Sequence, residues 1–289
     1  IKLRTDASVM FRKSGNTARA EQILIWLNTS ASDKLEAIVE EKVQPKVSEV
    51  KPKMILKDRK VYKPKGNPER IKINKNKDIY TGSGVIFNHG KWIITNRHVI
   101  KGTKYISVRN GLGKVRTVRS VKYPHDKKID LALLVLSKPY PKDYSQSIQN
   151  ISSPKVGEKI FVMGYPISSI IGRYNPSITQ GIISKNRGFG ERPGEFQITA
   201  TMNLGNSGGP IFNNKGKIVG ISVAKLDKNL ILNQKGFIPQ DVNVGISADI
   251  LNIFLNQKNK VSINSNKKDY NATEIYQFMR PSVVFIVGQ

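Results

Sequence analysis

The chain contains no cysteine. Structural disulfides, a thiol nucleophile and cysteine-based zinc sites are thereby excluded. Histidine is scarce: His89, His98 and His125 are the 3 present in 289 residues. Acidic residues are few, 21 against 48 Lys and Arg, and the formal net charge is +27. No apolar run approaches the roughly 18 residues that a membrane-spanning helix needs; the longest N-terminal candidate is Ile23 to Leu27. No metal-ligand cluster and no phosphate-binding glycine loop occurs, so no cofactor and no metal are expected.

The basic excess has two readings. Lysine, asparagine and isoleucine are all abundant, as coding bias from an AT-rich genome would produce, with lysine as surface filler. The sharper reading is attraction to an anionic surface. The basic residues are spread along the chain without an aromatic-interleaved motif. Non-specific contact with anionic surfaces is therefore the only partner that charge suggests, and no specific nucleic acid is expected.

Along the chain, residues 1–43 carry two helical patterns. Ala20, Ile23, Leu24 and Leu27 share one face, and Asp33 with Glu36 resembles a capping box. Residues 44–78 read as a lysine- and proline-rich linker, with Ile71 and Ile73 alternating as one short strand. From Thr81 the pattern turns to short strands separated by turn signals, such as the hairpin around Asn88-His89-Gly90. This spacing predicts a mainly β protein built of antiparallel barrels. Ala248 to Asn256 reads as a closing helix. The segment 258–289 ends in helix, proline and strand, and the apolar run Ser282 to Val287 reads as a strand completing the first barrel, as the start of a second unit, or as a strand pairing with a neighbouring molecule, the first being favoured.

The stretch Gly205-Asn206-Ser207-Gly208-Gly209-Pro210 stands out. Glycines around a serine let its hydroxyl stand clear of a tight turn. They also let the N–H groups of Gly205 and Ser207, with Asn206 close by, converge as an oxyanion hole requires. A serine hydroxyl needs a base, and the base needs an orienting group. His98 follows the strand-like run Trp92 to Thr95, whereas His89 sits in a turn and His125 in a charged loop; geometry favours His98. Asp130 opens the apolar run Leu131 to Leu136 and is favoured over Asp126, which stands among charged residues.

The order His98, Asp130, Ser207, with Gly82-Ser83-Gly84 opening the strand before the histidine hairpin, resembles the trypsin-fold serine peptidases. The closest resemblance is to the HtrA/Deg branch, carried by Thr95 to Val99, Asp130 to Ala132 and Gly205 to Pro210 over about Gly82 to Gln257. It implies two six-stranded antiparallel β-barrels in a peptidase domain over 79–257, flanked by the helical N-terminal extension and a C-terminal helix. It implies a serine endopeptidase of unfolded or damaged polypeptides, exported to the bacterial periplasm or envelope and assembled as a trimer; a removed signal peptide would leave no trace. There is no room for the PDZ domain that many relatives carry after the peptidase.

In this fold the residue six before the serine, Thr201, lies at the base of the primary specificity pocket. A threonine there disfavours Lys or Arg and suits a small or medium apolar residue. Ile221, Ser222 and Val223 are expected beside the substrate. Asn206 replaces the aspartate that activated trypsins pair with a new N-terminus, so the loops 201–204, 186–194 and 226–241 are expected to order the oxyanion hole instead. The alternative function is a silent peptidase scaffold acting as a binding or chaperone-like module. Such scaffolds lose a triad member, and none is missing here.

Overall fold

A computed structural model describes residues 61–74, 77–146, 151–166, 174–223, 243–255 and 268–289. The two helices expected over residues 1–43, most of the linker, and the loop 226–241 lie outside these.

Twelve strands and two α-helices are present among the described residues. The first five strands are β1 (Tyr80–Phe87), β2 (Trp92–Thr95), β3 (Ile106–Asn110), β4 (Val115–Lys122) and β5 (Ala132–Leu136). A second set follows: β6 (Lys159–Gly164), β7 (Ser177–Lys185), β8 (Glu195–Ile198), β9 (Pro210–Asn213), β10 (Ile218–Val223) and β11 (Asn243–Ser247). Helix α1 (Ala248–Phe254), helix α2 (Ala272–Met279) and β12 (Val283–Gly288) complete the chain. The strands close into two antiparallel barrels, in the orders β1-β12-β3-β4-β5-β2 and β10-β11-β8-β7-β6-β9.

The hairpin β1–β2 turns where the sequence reading placed it. Asn88 and His89 take positive φ (49° and 54°), which asparagine and histidine tolerate better than most residues. Gly90 continues with φ 83° and packs so tightly on the Tyr140 backbone that a Cβ would collide. Within β1, Gly82 to Phe87 are all buried, because one side faces the barrel interior and the other faces the second barrel. β4 mixes half-buried and exposed positions, as a strand with one wet face should, with the alternation broken at the register shift between Val118 and Ser120.

Strand β12 fills the slot between β1 and β3. It pairs with β1 from Tyr80↔Gly288 to Val85↔Val283 and with β3 from Val284↔Asn110 to Gly288↔Ile106. Val284 and Ile286 enter the first core beside Ile86, Ile93, Val108 and Leu134. Each such side chain contributes about 1.5–3 kcal/mol of transfer free energy. Helix α2 delivers the strand. Its N-terminus is a capping box, in which Glu274 N–H donates to Asn271 Oδ1 (2.9 Å) and Asn271 N–H donates to Glu274 Oε2 (3.0 Å). Pro281 then prevents the helix from continuing.

One expectation fails here. Ile71 and Ile73 form no strand. Residues 61–74 instead cross the first barrel as an irregular strap. Glu69 holds it there: its N–H donates to Gly113 O (2.8 Å), while its Oε2 accepts from Val115 N–H (2.7 Å). With its polar contacts made through a side chain and turn groups, the strap needs no ladder.

The second core gathers Ile160, Val162, Ile183, Phe196, Ile198 and Ile211. Helix α1 closes this barrel with Leu251 buried and Ile253 exposed, and Leu255, just past its end, is buried too.

Candidate active site

β2 ends at Thr95, and the chain turns through Asn96 and Arg97 into a single 3-10 turn at His98–Ile100. Val99 and Ile100 anchor that turn in the core, leaving His98 at the rim. Asp130 lies two residues ahead of β5. Because β2 and β5 are neighbours, with Thr95 opposite Ala132, the two strand ends bring His98 and Asp130 together.

The contact is double. His98 Nδ1 donates to Asp130 Oδ2 at 2.6 Å, and the His98 backbone N–H donates to Oδ1 at 2.9 Å. The Asp130 carbonyl is held by Asn96 Nδ2 (2.9 Å). A neutral imidazole with its proton on Nδ1 carries its lone pair on Nε2, the nitrogen facing away from the carboxylate. The two side chains are 26% and 23% exposed. A pair still partly in solvent adds modest stability, and what the contact chiefly supplies is orientation.

The other histidines are elsewhere. His89 and His125 are exposed, and among the described residues only His98 pairs with a carboxylate. Asp126 is exposed, and its Oδ1 accepts from Lys128 N–H (2.8 Å) in a local turn.

Ser207 is 4% exposed, in the turn leading into β9. Asn206 N–H donates to Asn203 O at 3.0 Å, closing a β-turn whose third residue, Gly205, has φ 96°. A positive φ there is the type II signature and requires glycine. Gly208, at φ 85°, packs against Ser83 O, Thr95 Oγ1 and Asn96 N. A Cβ there would collide with the very residues that lead into His98. Gly82 lies between the Val99 side chain and the Ser207 carbonyl. The serine turn, the histidine turn and Asp130 thus meet at the mouth between the barrels.

Three expectations change in this geometry. The Asn206 N–H is committed to Asn203 and braces the turn, so it does not serve as an oxyanion donor. Ile221 is fully buried in mid-sheet, between Ile246 and Pro210. Ser222 is fully buried too. Its N–H donates to Gly209 O (2.8 Å), its carbonyl accepts from Gly208 N–H (2.9 Å), and its hydroxyl donates at 2.6 Å to Asn206 O. Ile221 and Ser222 therefore support the serine turn rather than line a substrate. Val223, at the end of β10, is half-buried. Thr201 is exposed, with its carbonyl held by Thr179 Oγ1 (2.9 Å).

Glu195, at the start of β8, escaped the sequence reading. Burial holds its carboxyl above the ordinary range. Arg192, 3.8 Å away, pulls it back, and the negative charge of Asp130 adds to the rise. A second carboxylate thus sits within electrostatic reach of Asp130 from the opposite barrel. Nothing in the local sequence marks it.

Residues 82–221 match a family model described as trypsin-like peptidase domain. The Serine protease Do-like HtrA of Bacillus subtilis is 35% identical over 163 residues, covering 52% of this chain and 34% of that protein. A probable periplasmic serine endoprotease, DegP-like, of Pseudomonas savastanoi pv. phaseolicola is 34% identical over 148 residues, covering 49% of this chain and 28% of that protein. The crystal structure of the serine endoprotease from Yersinia pestis aligns with TM-score 0.47 at 26% identity, over 61% of this chain and 56% of that one. The chain carries a trypsin-like peptidase domain. HtrA/Deg serine proteases are among its relatives, and it spans between 26% and 40% of the lengths of these curated relatives.

Proposed function

We propose that the chain is a serine endopeptidase acting through His98, Asp130 and Ser207. The observation that carries this reading is the double hydrogen bond from His98 to Asp130, set beside a glycine-flanked serine turn. His98 Nε2 takes the Ser207 proton as the hydroxyl oxygen bonds to a peptide carbonyl carbon. The developing oxyanion is met by the N–H groups of Gly205 and Ser207. His98 then passes the proton to the departing amine, leaving an acyl-enzyme that water hydrolyses by the same route. Asp130 holds the imidazole tautomer throughout and stabilises the imidazolium.

The substrates are unfolded or damaged polypeptides. Thr201 in place of an acid suits cleavage after small or medium apolar residues. The site works in the bacterial periplasm or envelope, in keeping with the probable periplasmic serine endoprotease of Pseudomonas savastanoi, and the protein assembles as a trimer.

The test compares casein hydrolysis and fluorophosphonate labelling by the native chain and by Ser207→Ala. Both activities present in the native chain and lost in the variant are expected. A native chain that neither hydrolyses casein nor takes the label would favour the silent scaffold.

A further inference from the structure

Ser83 is fully buried in β1 of the first barrel, yet its polar groups reach the second. Its hydroxyl donates to the Gly205 carbonyl at 2.7 Å and accepts from the Tyr165 N–H at 2.8 Å. Its backbone N–H donates to the Ser207 carbonyl at 2.9 Å. Its own carbonyl accepts from Thr95 Oγ1 at 2.7 Å, which ties it to the strand leading into His98. One residue thus grips both ends of the Gly205-Asn206-Ser207 turn and is itself fixed to the histidine strand.

The consequence for the turn is specific. The peptide unit joining Gly205 to Asn206 is held on both sides, its carbonyl by Ser83 Oγ and its N–H by Asn203 O. That unit links the Leu204–Gly205 peptide, which carries the Gly205 N–H, to the Asn206–Ser207 peptide, which carries the Ser207 N–H, so holding it limits how the two donors turn relative to each other. Freed from Ser83, a glycine has many other conformations open to it. The second grip, on the Ser207 carbonyl, holds the far side of the residue that carries the other donor. Tyr165 adds a third point, anchoring the end of β6 to the same hydroxyl.

We propose that Ser83 is a positioning residue for the oxyanion hole: its hydroxyl locks the Gly205 carbonyl so that the Gly205 and Ser207 N–H groups converge on one point. This role rests on the peptidase reading above. It asks for a side chain small enough for a buried strand position that still both donates and accepts. Serine does this; alanine does neither. Because oxyanion stabilisation acts in the transition state, loss of the hydroxyl falls on kcat rather than on substrate binding.

The test uses Ser83→Ala and Ser83→Cys in the full chain. The cysteine variant keeps the bulk and so keeps the question answerable should the alanine variant not fold. Three quantities are read at a temperature where circular dichroism shows each protein folded: kcat and KM on an N-acyl-valine p-nitrophenyl ester, the inhibition constant of the matching boronic acid, and that of the unreactive N-acyl-valine amide. A fall in kcat of roughly tenfold to a hundredfold is expected, below the full loss of a donor, with KM within about twofold. Boronate affinity should fall in step with kcat while amide affinity holds. With an active native chain, unchanged kcat and boronate affinity in both variants overturn the role of Ser83 alone. So does a loss that tracks the folded fraction and weakens the amide equally. A native chain that neither hydrolyses the ester nor takes a fluorophosphonate overturns the peptidase reading, and this role with it.

Discussion

Asp130 grips His98 at two atoms, the ring Nδ1 at 2.6 Å and the backbone N–H at 2.9 Å. A single bond to the ring would leave the carboxylate free to swing about it. The second bond, to the main chain of the same residue, fixes the carboxylate plane relative to β2. Asparagine at this position would fill the same space but present an NH₂ group to Nδ1 or lose one of the two contacts. It would favour the wrong tautomer. Asp130→Asn is therefore expected to lower kcat about a thousandfold to ten-thousandfold with the fold intact, whereas Asp126→Asn should leave kcat within about twofold. Steady-state kinetics with circular dichroism checks both.

Gly208 offers a steric test. A side chain there meets both a positive φ and the packed atoms of Ser83, Thr95 and Asn96. Gly208→Ala is expected to cost roughly 2–4 kcal/mol, strain and overpacking together, and to abolish hydrolysis. Gly102 has a similar φ of 78° with open space around it. Gly102→Ala should show the strain alone, about 1 kcal/mol. Urea unfolding of the two variants separates the terms, and equal costs would refute the packing argument.

The contribution of β12 can be read from one side chain. Ile286 is fully buried in the first core. Ile286→Ala is expected to destabilise by about 2–5 kcal/mol. Ile253, 70% exposed on α1, should tolerate alanine within about 0.5 kcal/mol. If chemical denaturation finds the two alike, β12 does not hold the place described.

Glu195 gives a signed pH dependence. Its folded carboxyl titrates above the ordinary range, chiefly through burial. Ionisation is therefore harder in the folded protein than in the unfolded chain. The resulting cost is absent below the unfolded value, near pH ~4.3, and is complete above the folded one. Glu195→Gln should raise the thermal midpoint at pH 7.5 relative to the native chain, and the difference should fade at pH 3.5. A difference that is constant with pH, or reversed at pH 7.5, would rule this out.

Much of the site was legible because its chemistry leaves local marks. A serine among glycines, a histidine after an apolar run and an acid opening another can each be read within a few residues. Ser83 could not be read as more than part of a strand opening, because its partners Gly205, Tyr165 and Ser207 become neighbours only when two barrels dock. Ser222 shows the converse error. Its position in a strand was legible, but which of its groups the serine turn already uses was not. Glu195 was missed for the same reason, since the Asp130 charge that acts on it stands on the other barrel. In the fold, the apolar run of β12 announced a strand. Its place between β1 and β3 depended on long-range pairing to which local periodicity is blind. Ile71 and Ile73 alternated as a strand does, but Glu69 and the barrel surface settled their conformation.

The slot filled by β12 also sets an order of events during synthesis. A ribosome adds roughly 5–20 residues each second. Strands β1 to β5, with His98 and Asp130 among them, leave the tunnel well before residues 283–288 exist. Until those residues arrive, β1 and β3 have no strand between them and the first barrel stays open. The second barrel, from β6 to β11 with Ser207 among its residues, has been made by then. On the peptidase reading proposed above, the barrel that carries His98 and Asp130 closes only after residues 283–288 have been made.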